Sequence, residues 1–235
     1  MGDHSNKPPT VQGSAQSGPI DAFLDRARSV AVDSSRGRLI FALDATMSRQ
    51  PTWDMAQSIQ GEMFRTTAAQ GGLDVQLVYF RGFGECRASR FVSGGEGLGA
   101  LMARIVCQGG RTQIGKVLRH ALDESRSARV GALIFIGDAM EERIDDLTAT
   151  AGQMGLIGVK AFMFQEGQDA DASYAYREIA RLTGGAYAAF DVAAPRRLAE
   201  LLGAVAAYAV GGRIELERRA GEGEGAARLL LSQIG

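Results

Sequence analysis

Residues 130–136 form an unbroken apolar run, Val-Gly-Ala-Leu-Ile-Phe-Ile, which constrains the fold more than any other segment. Such a strand is typical of the middle of a parallel sheet, where helices bury both of its faces. The other predicted strands lie at 38–43, 74–80, 88–93, 159–164 and 186–190. Helical patterns separate most of them, so we predict an α/β fold with a doubly wound, mostly parallel central sheet, helices on both faces and one short antiparallel edge strand.

Four segments are predicted along the chain of 235 residues. Residues 1–18 are rich in Pro, Ser, Gly and Gln and are expected to be a disordered tail. An amphipathic helix is predicted at 19–31, where we favour packing on the domain over docking on a partner. The α/β domain follows at 37–212. A flexible, acidic, Gly-rich tail is expected at 213–235, with a short apolar end that either docks on a partner or folds back.

Composition argues against several classes of function. The chain is 46% apolar and 23% charged with a net charge of −1, and its arginines are scattered, so we expect no nucleic-acid partner. We find neither a signal peptide nor a membrane-spanning segment, which predicts a cytoplasmic protein without membrane association. The sequence argues against zinc sites and catalytic triads, because it has only two histidines, His4 and His120, and two isolated cysteines, Cys86 and Cys107. For His120, a half-exposed position on a helix is favoured over a catalytic dyad.

Asp44, Thr46 and Ser48 alternate directly after the apolar run at 38–43. A carboxylate and two hydroxyls suit a hard divalent cation, above all Mg²⁺. Two later segments offer further oxygens, Thr112 after a Gly-Gly pair and Asp138 after the run at 130–136. Because ligands bind at the carboxyl ends of parallel strands, we expect Asp44 and Asp138 to be neighbours on one edge of the sheet.

This ordered set of motifs resembles the von Willebrand factor type A (VWA) domain and its metal-ion-dependent adhesion site (MIDAS). The resemblance covers roughly residues 37–212, with Thr46 in place of the first Ser of the family's D-x-S-x-S motif. It implies a Rossmann-like VWA fold. It also implies Mg²⁺, with Mn²⁺ or Ca²⁺ as alternatives, ligated by the hydroxyls of Thr46, Ser48 and Thr112. Asp44 and Asp138 would act directly or through bound water.

The expected function is that of an adaptor or assembly module and not of an enzyme. Hydroxyl ligands leave a bound metal electron-poor, so it seeks an Asp or Glu carboxylate from a protein partner. The sequence leaves the identity of that partner and the oligomeric state open. For Asp44 to Ser48 alone, capping of the following helix is an alternative.

A metal-dependent phosphate-ester or nucleotide hydrolase is the second functional hypothesis. Residues 110–116 fit the phosphate-binding pattern G-x-x-x-x-G-K, but Val117 stands where that pattern needs Ser or Thr. Asp44 could serve as a covalent nucleophile, but Thr46 stands where an aspartyl-phosphate enzyme has its acid/base Asp. Both mismatches make this hypothesis the weaker one.

Overall fold

The computed structural model describes residues 36–67, 72–191 and 193–235. The tail predicted at 1–18 and the helix predicted at 19–31 therefore lie outside the described residues. The strands are β1 (Gly37–Asp44), β2 (Leu73–Arg81), β3 (Glu85–Ser93), β4 (Ala132–Gly137), β5 (Lys160–Glu166) and β6 (Ala186–Phe190). The α-helices are α1 (Gln50–Ile59), α2 (Gly61–Thr67), α3 (Gly95–Met102), α4 (Ile114–Ser127), α5 (Ile144–Leu156), α6 (Ala170–Thr183), α7 (Pro195–Gly221) and α8 (Gly225–Leu231).

The sheet has the strand order β3-β2-β1-β4-β5-β6. Strand β3 is antiparallel to β2, and the other neighbouring strands are parallel. This arrangement confirms the predicted fold class, including the antiparallel edge strand. The chain moves outward in one direction from β1 and in the other from β4, so strand order reverses between these two adjacent strands. Open α/β sheets bind ligands at such a switch point.

Strand β1 shows why the central strands read as continuous apolar runs. Leu39, Phe41 and Leu43 face one hydrophobic core, which the sheet shares with α1, α2, α3, α7 and α8. Ile40 and Ala42 point to the other face, into a core formed with α4, α5 and α6. Because successive side chains point to opposite faces, a strand covered on both sides has no position left for solvated residues.

The sequence pattern at 51–70 predicts one long helix, but the structure interrupts it. A 3₁₀ turn (Met47–Arg49) leads into α1, and a break at Gln60 separates α1 from α2. Gly61 lies at this break, and glycine is unfavourable inside helices. The side-chain amide of Gln60 donates a hydrogen bond to the carbonyl of Gly95, 3.0 Å away, which ties the break to the start of α3.

The C-terminal segment also differs from the flexible tail expected at 213–235. Helix α7 continues to Gly221, with a non-helical kink at Gly212, and α8 follows directly. Leu230 and Ile234 are buried in the core, so the apolar end folds back on the domain. Beyond α8, the side-chain amide of Gln233 bonds to the main chain of Tyr187 in β6, accepting from its N–H and donating to its carbonyl.

None of the described helices combines the length and the apolar character needed to cross a membrane.

Candidate metal centre

Four of the five predicted oxygen ligands lie at or shortly after the carboxyl ends of β1 and β4. Asp44 is the last residue of β1 and is only 4% exposed. Its Oδ1 accepts a hydrogen bond from the main-chain N–H of Thr46 at 2.7 Å. The hydroxyl oxygens of Thr46 and Ser48 lie 3.4 Å apart. Asp138 directly follows β4, the neighbour of β1 in the sheet.

Helix capping does not account for this loop. Thr46 precedes the 3₁₀ turn and Arg49 precedes α1, yet neither makes a side-chain capping hydrogen bond. Asp44 bonds to the N–H of Thr46, which lies before the first residue of either helix. The bond therefore fixes the loop and leaves the two hydroxyls free of capping contacts.

The electrostatic environment of Asp44 favours a cation. Burial raises the pKa of this carboxyl to about 6, and the negative charge of Asp138 acts in the same direction. Hydrogen bonds from Thr46 and the positive charge of Arg49 only partly offset the effect. A buried carboxyl whose ionised form is under-compensated is stabilised when a cation lies beside it.

Thr112 lies in the loop before α4 and is tied to the segment after β4. Its N–H donates to the Glu141 carboxylate at 3.0 Å, and its Oγ1 accepts from the N–H of Glu141 at 3.0 Å. A hydroxyl has two lone pairs and its own proton, so Thr112 retains capacity for another partner. The loop also contacts the Asp44 segment, because the N–H of Gln108 donates to the carbonyl of Ala45 at 3.0 Å.

Gly110 allows this loop to lie against the turn between β2 and β3. A Cβ at Gly110 would lie 2.2 Å from the carbonyl oxygen of Gly82, closer than atoms tolerate. The N–H of Arg111 donates to that same carbonyl at 3.1 Å. The Gly-rich character of the segment therefore reflects close backbone packing that positions Thr112.

Arg49 is a charged residue of the site that the sequence motif did not predict. One of its guanidinium nitrogens lies 3.1 Å from Oδ2 of Asp138, and another bonds to the carboxylate of Glu166. Thr52 also donates its hydroxyl to Glu166. The Arg49 side chain is only 11% exposed, and its buried Nε has no hydrogen-bond partner among the described residues.

Two sequence signals point to this network. Arg49 directly follows the last hydroxyl of the motif, and Glu166 ends β5, the strand beside β4. The rule that predicted Asp44 and Asp138 at the carboxyl edge applies equally to Glu166. Asp44, Asp138 and Glu166 thus lie at the carboxyl ends of three neighbouring strands, and Arg49 joins the last two.

The donor set fits Mg²⁺ in chemistry, since it offers hydroxyls and carboxylates and no softer ligand. Within the described residues, no group of three or more His, Cys, Asp or Glu side chains is arranged to hold a metal ion. Any metal here would therefore depend on the hydroxyls of Thr46, Ser48 and Thr112. Asp138 is engaged by Arg49, so a metal would compete with this guanidinium for it.

The segment that fits the phosphate-binding pattern is occupied by contacts within the chain. The N–H groups of Ile114 and Gly115, at the start of α4, donate to the carboxylate of Glu142. Lys116 donates to the carbonyl of Gly84 at 2.7 Å and to the side chain of Gln113 at 2.8 Å. The amides and the lysine that would hold a phosphate in a P-loop already have partners.

Strand order, the antiparallel edge strand and a polar switch point define an α/β domain of VWA-like fold. Three solved structures share this fold: a von Willebrand factor type A structure from Catenulispora acidiphila (18% identity, TM-score 0.59), the SpRpn10 VWA domain (9%, 0.54), and the ArnB paralog VWA2 from Sulfolobus acidocaldarius (15%, 0.51). The matches cover 75%, 69% and 71% of this chain, and 43%, 95% and 45% of those chains, respectively.

This chain therefore spans less than half the length of the first and third of these structures. No protein-family model and no curated protein matches the chain. At these identities the similarity establishes the fold.

Proposed function

We propose that this domain binds a divalent cation at Asp44, Thr46, Ser48, Thr112 and Asp138, and uses it to hold an acidic side chain of a protein partner. Mg²⁺ is the favoured ion because hard oxygen ligands suit it and because it keeps positions for water or an incoming carboxylate. The domain would act as an adaptor or assembly module. The VWA-like fold supports the proposal, because Asp44 and Asp138 lie at the carboxyl ends of neighbouring parallel strands.

The observation that carries the proposal is the placement of buried Asp44 beside two adjacent hydroxyls at the switch point of the sheet. Burial raises the pKa of Asp44 to about 6, and a bound cation would relieve this cost. The oxygen atoms of Thr46 and Ser48, 3.4 Å apart, are close enough for both to approach one ion. A structural loop alone has no need for a buried carboxyl so poorly compensated.

A metal-dependent hydrolase remains the second hypothesis and has less support. In a P-loop enzyme the amides at the helix start and the lysine would contact phosphate, but here they bond to Glu142, Gly84 and Gln113. Hydrolysis of ATP or p-nitrophenyl phosphate that is lost in Asp44→Asn and Lys116→Ala would favour the hydrolase.

Isothermal titration with Mg²⁺ and Mn²⁺ tests the metal claim. We expect saturable binding near neutral pH, and its loss in Asp44→Asn and in the double variant Thr46→Val with Ser48→Ala. Asp54→Asn is a matched control, because Asp54 is an exposed carboxylate of α1 that accepts a hydrogen bond from Gln50 in its own helix. Absence of binding in the wild type, or binding to Asp44→Asn as tight as to the control, would refute the metal site.

A further inference from the structure

Three exposed apolar side chains lie on loops that carry or adjoin the proposed metal ligands, each on a different loop. Met47 lies between the two hydroxyls of the motif, Phe83 is at the turn between β2 and β3, and Val106 precedes the Thr112 loop. Their exposed fractions are 66%, 86% and 69%. Large apolar side chains that lie together on a surface are typical of binding sites for other proteins.

Hydrogen bonds join the Phe83 turn and its flanking strands to the Val106 segment and to the start of α4. Arg81 donates to the carbonyl of Val106 at 2.6 Å, and the side-chain amide of Gln113 donates to the carbonyls of Arg81 and Glu85, both at 3.2 Å. Lys116 adds its bond to the turn residue Gly84. Phe83 is therefore presented by a turn that is anchored on both sides, which lowers the entropic cost of using it in binding.

A pocket of about 260 Å³ lies beside Phe83, and Thr112, one of the proposed metal ligands, is part of its lining. We call it the Phe83 pocket; its lining includes Phe83, Arg111, Thr112, Lys116, Arg119 and Glu142. The three cations among them form no ion pair with any residue that the structure describes, whereas the carboxylate of Glu142 bonds to amides of α4. The pocket thus combines an exposed aromatic ring with a surplus of positive charge.

We propose that the Phe83 pocket is a second subsite for the same protein partner, and that it takes an acidic segment carrying an apolar side chain. This inference rests on the proposed function, in which one carboxylate of the partner reaches the metal. A second carboxylate of the segment pairs with Arg111 or Arg119, and the apolar side chain packs on Phe83. Charge complementarity selects an acidic partner, and the aromatic ring supplies the apolar contact that central residues of interfaces use.

Synthetic Gly-Ser peptides labelled with fluorescein test this inference by fluorescence polarisation with the full chain in Mg²⁺. Peptides of the first set carry a single Asp, those of the second carry Asp and Leu, and those of the third carry Asp, Leu and Glu. In the second and third sets, the spacing between these residues is varied over the length of a short peptide. At the best spacing we expect the third set to bind about a hundredfold more tightly than the first, roughly tenfold for each added contact.

The variants Phe83→Ser and Arg119→Gln assign that gain to the pocket. Each should remove about tenfold of it, while the Mg²⁺ affinity measured by calorimetry stays unchanged. Leu156→Ser and Arg129→Gln are matched controls. Both residues are exposed, and each precedes the start of a parallel strand at the opposite edge of the sheet. Their binding should equal that of the wild type.

The remaining outcomes distinguish failure of the subsite from failure of the metal bridge. If no spacing gives a gain, or if Phe83→Ser and Arg119→Gln keep it, the subsite is refuted even when EDTA abolishes binding of the single-Asp peptide. If EDTA has no effect but Phe83→Ser weakens binding, the pocket stands and the metal bridge fails.

Discussion

Replacement of Arg49 by Gln should strengthen metal binding, because the guanidinium of Arg49 pairs with Asp138 and a metal ion would have to compete with it for that carboxylate. At 3.1 Å and an effective dielectric constant near 20, the pair attracts by about 5 kcal/mol before desolvation is counted. Hydrogen bonds to charged groups contribute a net 1.5–3 kcal/mol, roughly. Freeing Asp138 should therefore raise the affinity for Mg²⁺ or Mn²⁺ by about ten- to a hundredfold.

The same substitution should destabilise the metal-free domain. Asp138 and Glu166 would lose their shared cation, and removal of one partner from a largely buried ion pair costs up to about 3–5 kcal/mol. Saturating Mn²⁺ should restore more stability to Arg49→Gln than to the wild type, because ligand binding adds to the free energy of unfolding in proportion to the logarithm of affinity. Thermal melts with Mn²⁺ and with EDTA measure this difference.

Arg38→Gln is the matched control. Arg38 is also partly buried and pairs with Glu124 at 3.2 Å, but it lies at the start of β1, at the opposite edge of the sheet. The Arg38→Gln variant should have a lower free energy of unfolding than the wild type, with the same metal affinity. Calorimetry that gives equal or weaker metal binding in Arg49→Gln than in the wild type would refute competition between guanidinium and metal.

Three further predictions concern the site and the fold. Burial raises the pKa of Asp44 from 3.8 to about 6. In EDTA, the ionised Asp44 should therefore lower the free energy of unfolding by about 3 kcal/mol at pH values above this pKa, and the loss should disappear as the pH falls toward 4. Urea unfolding should therefore show Asp44→Asn to be more stable than the wild type near neutral pH, with a weaker pH dependence; equal slopes would contradict this. Gly110→Ala should lower the free energy of unfolding by about 1–3 kcal/mol and weaken metal binding, since its Cβ would strike Gly82, whereas Gly109→Ala meets nothing within 4 Å and should be neutral. Leu230→Ala should cost about 2–4 kcal/mol if α8 is part of the core, and a loss below 1 kcal/mol would indicate a loosely attached helix.

The sheet was predictable because a strand buried on both faces leaves a local, continuous apolar signature. The runs that contain Phe41 and Phe135 became the two central strands β1 and β4. Parallel topology then placed Asp44 and Asp138 on one edge without any knowledge of tertiary contacts. The closeness of these two residues thus follows from chain direction and strand order.

Other features depend on contacts between distant residues, which local sequence patterns specify only weakly. Arg49 reads as an ordinary surface arginine until Glu166, 117 residues away, is placed beside it. The C-terminal segment reads as a polar linker because its Gly and Glu residues dominate locally. Burial of Leu230 and Ile234 against the core outweighs that composition.

Gln233 affects whether the edge of the sheet can pair with strands of other copies of the chain. Strand β6 is an edge strand, and an unpaired edge is a template for addition of a strand from another molecule. The side-chain amide of Gln233 imitates a peptide group by bonding to both the N–H and the carbonyl of Tyr187. It thereby blocks that edge near the start of β6, while exposed Arg87 and Arg90 place charge along the opposite edge strand, β3. Resistance to edge-to-edge aggregation is thus built into both borders of the sheet.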